Sequence, residues 1–369
     1  MKVLCDRERL REALALVQSV VPTKSTRPAI ENIYLVATDN ALELVGTDLE
    51  VSMRYTLKDD VKVEEPGTAL VPGRITADFV RDLASETVTL SVQDEQLTIT
   101  GGEDVCDLAT TDPDEFPTAA LIRFEGDDAL RLQAGNFAKL VNRTAFAAAK
   151  EQGRYAMHGI LTLIEEQKLR MVATDGRRLA VASMAVDDQG APPKRAIVPT
   201  KAMQAFCRVI DDTLEQIDLL FAENQIGIRT QKAEIFARVI DGEFPRYAAV
   251  IPAETEQAVE ADADVFAKKL KLVSNVTTAD ARAVKLSLDG KQMTISGKSS
   301  ASGRAESHLD VDFKGKEAEI SFNPDFIVDG LRNCERDLVR LEFNDRTSPG
   351  KFTLGEEYIY IVMPITADA

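Results

Sequence analysis

The segment Ala69-Leu-Val-Pro-Gly-Arg-Ile-Thr-Ala-Asp-Phe-Val-Arg81 returns 127 residues later as Ala196-Ile-Val-Pro-Thr-Lys-Ala-Met-Gln-Ala-Phe-Cys-Arg208, with Val71, Pro72, Phe79 and Arg81 matched without a gap. A weaker third copy runs Ile320-Ser-Phe-Asn-Pro-Asp-Phe-Ile-Val-Asp-Gly-Leu-Arg332. Other anchors keep the same order: Gly46-Thr-Asp48 with Ala173-Thr-Asp175 at 127, and Asp114-Glu-Phe-Pro117 with Gly242-Glu-Phe-Pro245 at 128. A chain of such repeats must be read one supersecondary unit at a time.

Each copy opens on an amphipathic helix, over 7–20, 136–150 and 265–275, with apolar residues at i, i+3, i+4 spacing. Short alternating strands follow, such as 33–37 and 41–45, joined through Asp39 and Asn40. A strand then enters a second, Pro-led helix, and more strands follow. The pattern is two helices and two small antiparallel sheets per copy, an α+β fold rather than a βαβ one. The Glu-Phe-Pro segments set domain boundaries at 1–124, 125–253 and 254–369. Three non-solenoid copies can be plain duplication, or can close into an arc, half of a ring completed by two-fold pairing.

At 369 residues the chain exceeds one ordinary core. No stretch approaches the roughly 18 apolar residues of a membrane span. Residues 1–10 mix charges where a secretory signal would be apolar, so the expected location is the cytoplasm, with no membrane partner. Cys5, Cys106, Cys207 and Cys334 show no CxxC or His-paired spacing, which argues against a zinc site and a disulfide framework and for small buried hydrophobes. With two histidines, His158 and His308, a Ser-His-Asp relay has little to work with. The expectation is no catalytic residue, no metal and no cofactor. The enzyme alternative, an anion-binding acid-base cluster of Thr174, Asp175, Arg177 and Arg178, lacks a nucleophile-base pair, and one Asp beside two Arg is more often an ion-paired turn.

A net charge of −17 speaks against a polyanionic partner unless basic groups are gathered on one surface. The second helices gather them: Arg74 and Arg81 are seven apart, Lys201 and Arg208 take the same positions in the second copy, and the third keeps Arg332 with Asp325 in place of the other. Among the first helices, 136–150 carries Lys139, Arg143 and Lys150 and no acid, and the third copy offers Lys268, Lys269 and Lys271. Such a lining would face duplex DNA. A two-fold ring would carry 2 × −17 = −34 overall, so its hold must be topological rather than adhesive. No helix-turn-helix or stacking platform is present for base readout.

Four motifs, Gly46-Thr-Asp-Leu-Glu50, Val172-Ala-Thr-Asp-Gly-Arg-Arg-Leu-Ala180, Asp241-Gly-Glu-Phe-Pro-Arg-Tyr247 and Tyr360-Ile-Val-Met-Pro-Ile365, resemble those of the bacterial DNA polymerase III beta subunit family, the replicative sliding clamps, and the resemblance covers the whole chain. It implies a head-to-tail homodimer, a closed ring of six similar domains with helices lining the hole, acting as a non-catalytic processivity factor around double-stranded DNA. It implies a hydrophobic pocket for short peptides of the replicative polymerase, the clamp loader, repair polymerases and other clamp-binding-motif proteins. By motif, the pocket positions fall on Met157, Thr174, Gly176, Arg177, Arg178 and Leu179, then on Pro245 and Val250. The C-terminal motif adds Val362, Met363, Pro364 and Ile365. For DNA the resemblance points to Lys24, Arg74, Arg154, Tyr155 and Lys201. For the protomer interface it points to Cys106 and Leu108 facing Leu272 and Val273. The chain departs from the family pattern at Ala249, at Cys106, and in the tail from Thr366 to Ala369, where a basic then apolar pair is usual. A rival reading is an acidic peptide-binding scaffold that never encircles DNA.

Overall fold

A computed structural model of the chain describes residues 1–121, 129–151, 153, 156–188, 190, 192–278 and 282–366. Its backbone contacts form two compact units, Met1–Phe137 with Lys201–Val239, and Ala138–Thr200 with Ile240–Ala369. The expected boundary at 124 lies outside the described residues.

Among the described residues there are six α-helices, two for each repeat: α1 Arg7–Gln18, α2 Gly73–Asp82, α3 Ala134–Thr144, α4 Thr200–Arg208, α5 Ala263–Ser274 and α6 Pro324–Leu331. The repeat is visible in how they begin. Asp6 accepts from the Arg9 amide at 3.0 Å, and Asp262 accepts from the Val265 amide at 2.8 Å, so α1 and α5 share one N-cap. The strands before α2 and α4 end at Pro72 and Pro199, and Pro324 opens α6. Proline suits these positions because the first amides of a helix have no partner inside it.

The helix expected over 136–150 stops at Thr144, whose hydroxyl donates back to the Leu140 carbonyl at 2.8 Å before a single 3-10 turn, Ala145–Ala147. Lys150 therefore lies beyond α3. Arg332 is the C-cap of α6 rather than a residue within it.

Four antiparallel sheets of five, eight, nine and four strands are present among the described residues, where two per repeat would give six. The difference lies at two joins. In the first unit the strand Val51–Leu57 pairs with Ala233–Arg238, setting Met53 opposite Ile235. In the second, Arg178–Ala185 pairs with Tyr358–Val362, setting Leu179 opposite Ile361. Each join satisfies a backbone edge that would otherwise stand open.

The helices pack in pairs, α1 with α2 in the first unit and α5 with α6 in the second, each pair against a sheet. Leu10, Ala13, Leu14 and Val17 form the buried stripe of α1. That helix lies so close to the strand Ala41–Thr47 that a Cβ on Gly46 would come within 2.7 Å of a Val17 methyl and 3.1 Å of the Val17 carbonyl oxygen. Backbone cannot yield as a side chain can. Gly46→Ala is therefore expected to destabilise the first unit by about 1–3 kcal/mol, read as a lower urea midpoint with unchanged slope.

Candidate functional site

A cavity of about 270 Å³ opens in the second unit. One wall is a hairpin turn whose shape follows from Thr174 and Asp175. Asp175 accepts from the Arg177 and Arg178 amides at 2.9 and 3.0 Å. The Thr174 hydroxyl accepts from the Gly176 amide at 3.1 Å and donates to the Arg178 carbonyl at 2.6 Å. Gly176 takes φ +84°, which glycine adopts freely. The first repeat builds the same turn: Asp48 accepts from Glu50 and Val51 at 3.0 and 2.7 Å, and Leu49, at φ 75°, donates to Thr47 at 2.9 Å. A leucine there costs roughly 1 kcal/mol, so the turn chemistry outweighs the strain. The Thr-Asp pair of the repeat is thus a turn builder, not an acid-base cluster.

Thr174, Gly176, Arg178 and Leu179 line the cavity from this turn, with Met157 beside them. The segment Pro245, Arg246, Tyr247 and Val250 lines it too, with Ile361 of the last strand and Met363 just beyond that strand. The Pro245 carbonyl accepts from the Tyr247 amide at 2.7 Å, which bends the segment inward. Four expected positions stand elsewhere. Val362 is wholly buried next to Ile361, whose side chain takes the opposite face of the strand. The Arg177 carbonyl accepts from the Met363 amide at 2.9 Å while its side chain is exposed. Ile365 donates its amide to Ser321 at 2.8 Å, and neither it nor Pro364 lines the cavity. Arg246 and Tyr247 were missed although they sit in the Asp241–Tyr247 motif, and Ile361 follows only from the strand register with Leu179.

Arg178 fixes the wall. Its guanidinium donates to Asp175 at 3.0 Å, to Asp329 of α6 at 2.8 Å and to the Phe146 carbonyl at 2.7 Å, and it lies over the rings of Phe326 and Phe146 at 4.7 and 5.6 Å. Buried cations persist where each nitrogen of the guanidinium finds an acceptor in this way.

The basic candidates divide. Arg143 is only 6% exposed: it donates to both carboxylate oxygens of Glu335, one at 2.9 Å, and lies over the Tyr358 ring at 5.1 Å. It belongs to the interior, and the acid that draws it in lies 192 residues further along the chain, so the acid-free helix gave no warning. The others are exposed. Arg74 pairs with Asp78 at 3.8 Å, and Arg81 with Asp78 at 2.6 Å and Asp82 at 2.9 Å. Lys201 pairs with Asp48, Lys139 with Glu335 at 3.0 Å, and Arg332 with Asp329 at 3.2 Å. Among the described residues Lys24, Lys150 and Arg208 have no ion pair; Arg154 and Tyr155 lie outside the described residues. In the third repeat Lys268 and Lys271 are exposed, while Lys269 donates to Ser307 at 3.3 Å.

Cys106 and Leu108 sit half-exposed on Asp104–Ala109, the last strand of the five-stranded sheet. Leu272 is 60% exposed, but Val273 is wholly buried against Gly297 and cannot meet a partner. All four cysteines are free; only Cys5 is fully buried, and burial pushes its thiol up to about 12. Among the described residues no cluster of His, Cys, Asp and Glu could hold a metal, and no helix is long and apolar enough to cross a membrane.

Family models of the DNA polymerase III beta subunit match the chain in three consecutive parts, the N-terminal domain over residues 1–120, the central domain over 131–246 and the C-terminal domain over 248–365. The chain belongs to this family. It is 29% identical over 372 residues to the beta sliding clamp of Pseudomonas putida, across 99% of this chain and 100% of that protein. It is 29% identical over 370 residues to that of Escherichia coli K12, with the same coverage. A sliding clamp from Pseudomonas aeruginosa, solved bound to griselimycin, matches the fold with a TM-score of 0.94 at 27% identity, over 99% of each chain. In this family member the hairpin of the cavity belongs to the central domain, and Ile361 and Met363 belong to the C-terminal one.

Burial by itself raises the Glu335 carboxyl, but hydrogen bonds from Arg143 and then Lys139 outweigh it and hold the group below its ordinary range. A carboxyl with a lower pKa folded than unfolded stabilises the fold above its ordinary value of about 4.3 and loses that contribution as the pH falls through the folded value. Stability should therefore fall more steeply below about pH 5 in the wild type than in Glu335→Gln, which should be weaker by about 2 kcal/mol at pH 7. Urea midpoints across that range check both, and parallel pH profiles would show that this carboxylate contributes nothing of the kind.

Proposed function

We infer that the chain is one protomer of a sliding clamp of DNA replication. Two copies close head to tail into a ring around duplex DNA and hold it without reading sequence. The ring tethers the replicative polymerase through the cavity between Leu179 and Met363. It makes and breaks no bond itself. The observation that carries the reading is an open-mouthed apolar cavity, in a member of this family, walled by residues far apart in sequence and sized for one or two side chains of a peptide. Burying a Leu and a Phe gains roughly 1.5–3 kcal/mol each, partly offset by ordering the peptide, which corresponds to about micromolar affinity. Such a cavity suits several partners in turn: the polymerase, the clamp loader, repair polymerases and other proteins with the same short motif. The cytoplasm is where these partners meet.

The repeat itself supports ring closure. In both joins a strand equivalent to Asp104–Ala109 pairs with one equivalent to Gly303–Asp310, about 125 residues along in each case. Those two strands are themselves outermost in their sheets. Pairing them between copies continues the series, with Cys106, Leu108 and Leu272 beside the seam and three domains, 1–124, 125–253 and 254–369, in each half. Arg74, Arg81, Lys201, Arg208, Lys139 and Arg332, with Lys24, Lys150 and Arg154, supply the DNA-facing cations, and Tyr155 is a further, uncharged DNA contact.

A labelled peptide led by Gln and ending in Leu-Phe, titrated by fluorescence anisotropy, is expected to saturate near micromolar Kd. Val250 and Met363 are 41% and 38% exposed at the rim, so Val250→Ala with Met363→Ala leaves the fold intact and should weaken binding about tenfold or more. Retention on circular but not linear DNA, under the same conditions, completes the test. No saturable binding, or equal loss from both DNA forms, would overturn the reading.

A further inference from the structure

We propose that the cations facing DNA are held part-neutralised by carboxylates on the same surface, and that Asp78 and Asp82 set how weakly the ring grips the duplex. This rests on the clamp reading above. Arg74, Arg81, Lys139, Lys201 and Arg332 are each exposed, and each lies within an ion pair. In three places one acid serves two cations. Asp78 is shared by Arg74 and Arg81, Glu335 by Lys139 and the buried Arg143, and Asp329 by Arg332 and the buried Arg178.

Glu335 and Asp329 have a structural duty, because each anchors a buried arginine. Asp78 and Asp82 have none: their partners are the exposed Arg74 and Arg81. Helix stability accounts for them only weakly. Asp82 is the last residue of α2, where the helix dipole disfavours an anion. Arg74 to Asp78 is an i, i+4 pair in the weaker order, cation before anion. Asp78 to Arg81 is an i, i+3 pair in the stronger order, so the two acids leave their own helix close to neutral on balance while occupying the two arginines that the repeat places in register with Lys201 and Arg208.

The consequence concerns sliding. A phosphate approaching Arg81 must displace two carboxylates, so the contact is an exchange of one ion pair for another, with little net gain. Fewer counterions are released than the number of cations suggests, and the potential along the duplex stays shallow. A topological hold needs this, because adhesion would only add friction.

The test is Asp78→Asn with Asp82→Asn, in the full chain, loaded by a clamp loader on circular DNA to read retention and, separately, on end-blocked linear DNA to follow diffusion by single-molecule tracking across a salt series. Freed Arg74 and Arg81 should steepen the salt dependence by up to about two phosphates per protomer and slow diffusion at least about twofold. Adding Arg81→Gln should restore most of the mobility, and peptide binding at the cavity should be unchanged throughout. A wild type retained on circular DNA, with a double variant of the same salt slope and diffusion, would overturn the proposal and leave the clamp reading standing. A wild type not retained on circular DNA would overturn both.

Discussion

Arg178 carries a full positive charge into a place where water scarcely reaches it, and the second unit is arranged to meet that charge. Two carboxylates, a carbonyl and two aromatic faces surround the guanidinium, drawn from the turn at 174–178, the 3-10 turn Ala145–Ala147, and α6. Desolvating such a group costs several kcal/mol, and only a complete set of partners offsets it. The cavity wall inherits that rigidity: Arg178 and Leu179 are adjacent on a strand locked by pairing to the last strand of the chain, and both line the cavity. A peptide entering it meets a preformed surface, which keeps the ordering cost on the peptide's side.

The repeats solve the same problem with the charges exchanged. At the turn of the first unit the acid is Asp48 and a helix, α4, brings the cation Lys201. At the equivalent turn of the second unit the cation Arg178 is built into the turn, and the helix α6 brings a further acid, Asp329. Either way a helix is tied to the hairpin by an ion pair. In the second case the arginine is buried and lines the cavity; in the first the lysine stays exposed. Duplication kept the backbone device and let the electrostatics diverge.

That divergence explains what could be read from the sequence. Helix count and the α+β class follow from local rules of spacing, and these are features on which sequence and structure agree; α3 and α5 start two residues before their expected positions. The early end of α3 turns on one hydroxyl bonding to the carbonyl a turn behind it, which a polar-apolar pattern does not register. Arg143 looks like surface until Glu335 is brought beside it by the tertiary fold. Val362 belongs to a motif that carries the cavity, yet register places Ile361 on the cavity side and Val362 in the core. The ion pairs of Arg81 are within one turn of helix and were legible in principle; counting cations alone hid the acids beside them.

The merging of sheets bears on how the proposed pairing of two chains would close a set of three repeats each. A strand edge is a row of unmet donors and acceptors, and an open edge in solution invites uncontrolled pairing. Two edges of each repeat are of the kind used in these joins, one near its middle and one near its end. Within the chain, the end edge of the second repeat is met by the middle edge of the first, and the end edge of the third by the middle edge of the second. What is left is the end edge of the first repeat, Asp104–Ala109, and the middle edge of the third, Gly303–Asp310. A five-stranded sheet and a four-stranded one joined there would have nine strands, the size of the larger sheet already joined within the chain. Head-to-tail pairing therefore asks for no new kind of contact. It would repeat between copies a contact that the sequence already makes twice within one, and closing the proposed ring would leave neither of these edges open.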